Sequence, residues 1–106
     1  MHYKPKAIDH IAITVDDIAK TVDWYCQRFE CTIDYQDETW ALLGFENIKL
    51  AFVLAKDHPP HIAFRAPEKE LTAHLSKRRD GERSYYDKDC AGNVIEWLVT
   101  NKHEVE

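Results

Sequence analysis

His10-Ile11-Ala12-Ile13-Thr14-Val15 and His61-Ile62-Ala63-Phe64-Arg65-Ala66 share three identities at an offset of 51 residues. Self-similarity over such a distance marks a duplicated supersecondary unit. The first copy lies within residues 7–15, where Ile11, Ile13 and Val15 alternate with His10, Ala12 and Thr14, the period of a strand. Asp16 is placed to cap a helix running through Phe29, whose apolar residues Ile18, Val22, Tyr25 and Phe29 are spaced four, three and four apart. Residues 31–36, 39–45 and 48–54 read as three short strands, with Asp37-Glu38 and Glu46-Asn47 at the turns. The first half is a βαβββ unit.

The second half repeats the order in shorter form. Pro67 suits the first position of a helix over 67–79, and Glu68 and Glu70 suit its positive end. Leu71 and Leu75 take the places of Ile18 and Val22. Gly92-Asn93-Val94-Ile95-Glu96-Trp97-Leu98 answers Glu46-Asn47-Ile48-Lys49-Leu50-Ala51-Phe52 at an offset of 46, so the second unit is five residues shorter. The loss falls between the helix and a strand over 84–88, and one strand there is lost or shrunk. The expected fold is α+β: one domain over 1–106, with a first module at about 7–55 and a second at about 60–100.

Composition narrows the function classes. Of 106 residues, 44% are hydrophobic and 31% charged, with 3 Gly and 4 Pro, which excludes a disordered or low-complexity chain. A net charge of −5 gives no basic footprint for nucleic acid and disfavours anionic membrane surfaces. No apolar run approaches the ~20 residues of a spanning helix. Met1-His2-Tyr3-Lys4-Pro5-Lys6 has no apolar segment behind its lysines, so no signal peptide is expected. Cys26, Cys31 and Cys90 are odd in number and lack C-x-x-C spacing, which points to free thiols and a cytoplasmic protein.

Three residues have the wrong chemistry for their faces. Glu96 lies in Val94-Ile95-Glu96-Trp97-Leu98-Val99, apolar on both sides, where a carboxylate is costly unless paired, hydrogen-bonded or bound to a cation. His10 and His61 interrupt equivalent strands of the two halves. A strand histidine is ordinarily a satisfied polar residue, and a strand glutamate ordinarily an edge charge. Two imidazoles at the same place in both halves, plus a carboxylate, also make a two-His-one-carboxylate set. Such a set holds one face of a divalent metal and leaves positions open for substrate. Arg65 has the parity of His61 and is a candidate substrate-binding cation, or a strand-end arginine reaching water. Trp40 and Phe52 line a pocket or fill the core, with core favoured.

Ile8-Asp9-His10-Ile11-Ala12-Ile13-Thr14-Val15-Asp16-Asp17-Ile18, Trp24-Tyr25, Pro60-His61-Ile62-Ala63-Phe64 and the stretch from Tyr85-Tyr86 to Glu96 together resemble the vicinal oxygen chelate superfamily. This superfamily includes glyoxalase I, methylmalonyl-CoA epimerase, extradiol dioxygenases, fosfomycin transferases and bleomycin-binding proteins. The resemblance covers about residues 7–100 and implies paired modules whose mixed sheet curls around a metal-containing cavity. It places His10, His61 and Glu96 on metal-ligand positions, for Fe(II), Mn(II) or Zn(II), and Tyr86, ten residues before Glu96, on an active-site tyrosine position.

The departures narrow the activity. Glyoxalase I and the epimerase carry a fourth ligand on the last strand of the first module, where this chain has Leu50 or Ala51, depending on register. Ala12 stands where fosfomycin transferases have threonine, and Asp89-Cys90-Ala91-Gly92-Asn93 replaces the family's D-P-D-G-N. The resemblance therefore implies a small metalloenzyme of dioxygenase or lyase type that chelates vicinal oxygens of a small-molecule substrate, acting as a homodimer. The alternative is a metal-free, drug-sequestering binder like the bleomycin-resistance proteins.

Overall fold

A computed structural model of the chain describes residues 6–67, 76–77 and 83–100. In chain order these form β1 (Ile8–Thr14), α1 (Ile18–Arg28), β2 (Thr32–Gln36), β3 (Trp40–Gly44), β4 (Lys49–Val53), β5 (His61–Pro67), β6 (Ser76–Lys77), β7 (Arg83–Lys88) and β8 (Val94–Thr100). They divide into two compact units: His10–His61, and the described residues up to Asp9 together with those from Ile62 onward.

In the first unit the strand order is β2-β3-β4-β1, with β1 parallel to β4 and the other pairs antiparallel. The parallel pair requires a crossover, and α1 is part of it. The helix is capped by Asp17, whose Oδ1 accepts the Lys20 N–H at 3.0 Å, and not by Asp16. With two consecutive aspartates the cap falls to the one whose side chain reaches the open amides of the first turn. Ile18 and Val22 are buried, and Tyr25 packs behind them. Phe29 does not extend that stripe as expected: it is the C-cap, extended in backbone and half exposed.

Both faces of this sheet are apolar, in different ways. Toward the helix, Ala41, Leu43 and Phe52 join Ile18 and Val22, with Ile13, Val15, Leu50 and Leu54 packed around them. Phe52 is therefore core. On the other face Ala12, Ala51 and Val53 are buried, flanked by Trp40 and Leu42. The edge strand β2 is exposed throughout, and a bulge between Ile33 and Tyr35 sets Ile33 opposite Leu43 but Tyr35 opposite Leu42. The two side chains thus leave the sheet on opposite faces, and Tyr35 stacks on Trp40 with ring centroids 4.5 Å apart.

The second unit has the order β5-β8-β7-β6, with β5 parallel to β8 and the others antiparallel. The start of β1 joins it, since the Arg65 N–H donates to the Ala7 carbonyl at 3.1 Å. Two expectations fail here. Pro67 ends strand β5 instead of opening a helix, a strand position that tolerates a missing N–H. Ser76 and Lys77, expected in the helix over 67–79, are strand instead and pair antiparallel with Ser84 and Arg83. The rest of that expected helix, including Leu71 and Leu75, lies outside the described residues. The β7–β8 turn is built on Asp89, which accepts from the Ala91 and Asn93 amides at 2.9 Å and from Asn93 Nδ2 at 3.0 Å. Gly92 takes φ +90° within it, a conformation that favours glycine.

Candidate metal centre

Strand alternation fixes the face on which each candidate stands. His10 shares its face of β1 with Ala12 and is 5% exposed. His61 opens β5 and is 7% exposed, and the two rings meet edge to face with centroids 5.7 Å apart. His61 Nδ1 lies 2.8 Å from the Pro59 carbonyl oxygen. A carbonyl only accepts, so Nδ1 carries the proton, and Nε2 is the ring nitrogen left to act as a donor atom toward a cation. A carbonyl in this place orients a ligating histidine and fixes its tautomer. No residue type signals this contact, because the partner is backbone.

Lys49 is the Cα partner of His10 across β1 and β4, which would place a cation beside the imidazole. Its ammonium instead pairs with Asp34 at 3.4 Å. Gly44, the Cα partner of Lys49 on β3, permits this: a Cβ there would stand 2.8 Å from both Asp34 Oδ2 and Thr32 Oγ1. The rest of the face beside His10 carries no charge, being Ala12, Ala51, Val53, Leu42 and Trp40. That apolar floor, with Trp40 partly exposed on it, is the main element the sequence did not resolve.

In the second unit Glu96 is 3% exposed on β8, flanked by its Cα partners Ala63 on β5 and Tyr86 on β7. Facing residues across a strand pair share a side of the sheet, so Tyr86 and Glu96 are neighbours on one face. Tyr86 is 44% exposed. Ser84 and Leu98 continue that face and are buried. Arg65, partner of Leu98, is exposed, with its Nε 3.4 Å from Asp9 Oδ1.

The register also decides between Leu50 and Ala51. Ala12 pairs with Ala51 as Ala63 pairs with Glu96, so the counterpart of Glu96 in the first half is Ala51, at an offset of 45 and not 46. Leu50 packs toward the helix. A methyl group therefore stands where a fourth ligand would project.

Two buried histidines, one with its tautomer set by a backbone carbonyl, and a buried glutamate are donors that could hold a metal ion. The fold and these donor types together point to one class of protein. A family model for the Glyoxalase/Bleomycin resistance protein/Dioxygenase superfamily matches residues 7–98, and the chain belongs to that superfamily. Its fold is that of methylmalonyl-CoA epimerase from Mycobacterium tuberculosis (16% identity, 92% of this chain and 90% of that one, TM-score 0.71). It is also similar to a variant of the Streptomyces coelicolor epimerase in complex with 2-nitronate-propionyl-CoA (18% identity, 97% and 100%, TM-score 0.77). No curated protein sequence matches the chain significantly. No helix among the described residues is long and apolar enough to cross a membrane.

Proposed function

We propose that the protein is a small metalloenzyme in which His10, His61 and Glu96 hold a divalent cation, Fe(II), Mn(II) or Zn(II). The reading is supported by the His61 Nδ1–Pro59 contact, which favours the tautomer of this buried imidazole with its lone pair on Nε2, the form a metal ligand needs. The donor types suit the group: two imidazoles and one carboxylate leave one charge of a divalent ion uncompensated and several coordination positions free. When bound, the cation supplies Lewis acidity to two adjacent oxygens of a small molecule.

The protein's own residues do the rest. Tyr86, beside Glu96, donates a hydrogen bond to an oxygen of the substrate and hands over a proton as charge develops there. Arg65 has guanidinium donors beyond those facing Asp9 and takes an anionic group. The apolar floor of Ala12, Ala51 and Val53 excludes water and receives the substrate's carbon skeleton. Ala51 in place of a fourth ligand disfavours a glyoxalase-type or epimerase-type proton abstraction and favours dioxygenase-type or lyase-type chemistry. The chain acts as a homodimer in the cytoplasm, a compartment that suits its three free cysteines.

Thermal melts with Mn(II) and with EDTA test the metal. A melting temperature raised by the ion and lowered by chelator is expected. Insensitivity to both moves the protein to the metal-free binders. Tyr86→Phe should leave the Mn(II)-dependent shift intact and lower turnover of any accepted substrate by ~10²-fold or more. Size-exclusion chromatography should give twice the mass of one chain.

A further inference from the structure

The last turn of α1 and the residue just before β2 bring two thiols together in a place the metal centre does not use. Phe29 closes the helix by donating its N–H to the Tyr25 carbonyl at 2.8 Å and then takes an extended backbone, which turns the chain back along the helix end. Cys31 consequently lies beside Cys26, with the two sulfurs 4.0 Å apart. Cys26 is exposed and Cys31 half-buried, and the Cys31 S–H is also 3.8 Å from the Phe29 carbonyl oxygen. A disulfide needs about 2.0 Å between sulfurs, so each has to move by only about 1 Å.

We propose that Cys26 and Cys31 are a redox-modifiable dithiol that a hydroperoxide converts to an intrachain disulfide. Cys26, the accessible sulfur, attacks the peroxide as thiolate. A new S–O bond forms, the O–O bond breaks, and the other oxygen leaves as an alcohol or water after taking a proton. The sulfur of Cys31 then attacks the sulfenic sulfur of Cys26. The S–S bond forms, the S–O bond breaks, and the hydroxide leaves as water with the Cys31 proton. Two thiols and one hydroperoxide thus give one disulfide, one alcohol (or water) and one water. Partial burial first, and the hydrogen bond with Cys26 second, push the Cys31 thiol above its ordinary value. That keeps Cys31 a thiol while its neighbour is oxidised, the division of labour between an attacking and a resolving cysteine. The product fastens the helix end to the exposed edge strand β2.

The full chain, reduced and then treated with hydrogen peroxide, provides the test by intact mass, thiol count and peptide mapping. Wild type and Cys90→Ser should each lose two thiols and about 2 Da, reversibly with dithiothreitol, with the bond mapping to Cys26 and Cys31. Cys31→Ser should stop at a sulfenic acid on Cys26, trapped by dimedone at least about 10-fold more than in wild type. Phenylarsine oxide, which bridges adjacent thiols, should bind one per chain in wild type and Cys90→Ser and not in Cys26→Ser or Cys31→Ser. Three thiols oxidising independently to sulfinic acids, a bond involving Cys90, or a bond between chains would each overturn the assignment.

Discussion

Ala51 occupies in the first half of the chain the position that Glu96 occupies in the second: each faces an alanine, Ala12 or Ala63, across a parallel strand pair. The two parallel strand pairs are therefore equivalent in register at this point and differ in chemistry there. Ala51→Glu should add a fourth donor on the face of His10 and tighten Mn(II) or Zn(II) binding by about 10-fold or more, comparable to what supporting groups contribute to metal sites. With EDTA present the same variant should melt below wild type, because Ala51 is 3% exposed and a carboxylate there has lost its water. Titration calorimetry and melts read the two effects separately. Unchanged affinity would remove Ala51 from the face assigned to it.

Glu96→Gln tests the other member of the pair. The amide keeps the shape and removes the anion, so metal affinity should fall by ~10-fold or more. The chelated protein should be no less stable than chelated wild type, since a buried carboxylate is itself costly without a compensating cation. Equal destabilisation with and without Mn(II) would instead mark Glu96 as one half of a structural ion pair.

Much of this arrangement could be read from residue order because it rests on periodicity. The alternation through His10 and Ala12, and the repeat linking His10 to His61, place both imidazoles on strands that the structure contains. What could not be read depends on contacts between segments. The Pro59 carbonyl that orients His61 is backbone, and the bulge at Asp34 that sends Ile33 and Tyr35 to opposite faces changes no residue type. The one-residue slip between offsets of 46 and 45 was hidden because Leu50 and Ala51 are both apolar, yet it moves the side chain to the other face of the sheet. Pro67 misled for a related reason: a fixed φ suits the first turn of a helix and the end of a strand alike.

The helix-side core makes a prediction independent of any ligand. Phe52 is fully buried at the centre of the first unit, against Ile18, Val22, Ala41 and Leu43. Tyr25 packs against its ring with centroids 4.9 Å apart. Phe52→Ala should cost ~3–5 kcal/mol in denaturant unfolding, and Trp24→Ala, at a half-exposed site on α1, much less. Similar losses for both would mean that α1 packs otherwise.

The turn on Asp89 gives a stability effect with a definite pH sign. The Asn93 side-chain amide first, and then the Asn93 and Ala91 backbone amides, hold the Asp89 carboxyl below the usual carboxylate range. A carboxyl depressed in the folded chain binds its proton more readily once unfolded, so acid favours unfolding. The contribution is complete above the ordinary carboxylate range near pH 4 and disappears as the pH falls through the depressed value. Asp89→Ala should therefore melt below wild type at about pH 7, and the gap between the two should close toward about pH 2. Asp37 is lowered in the same sense, chiefly by the Tyr35 hydroxyl and then by Thr39, and Asp37→Ala should show the same narrowing. A gap that widens in acid would reverse the sign and place the proton on the folded carboxyl.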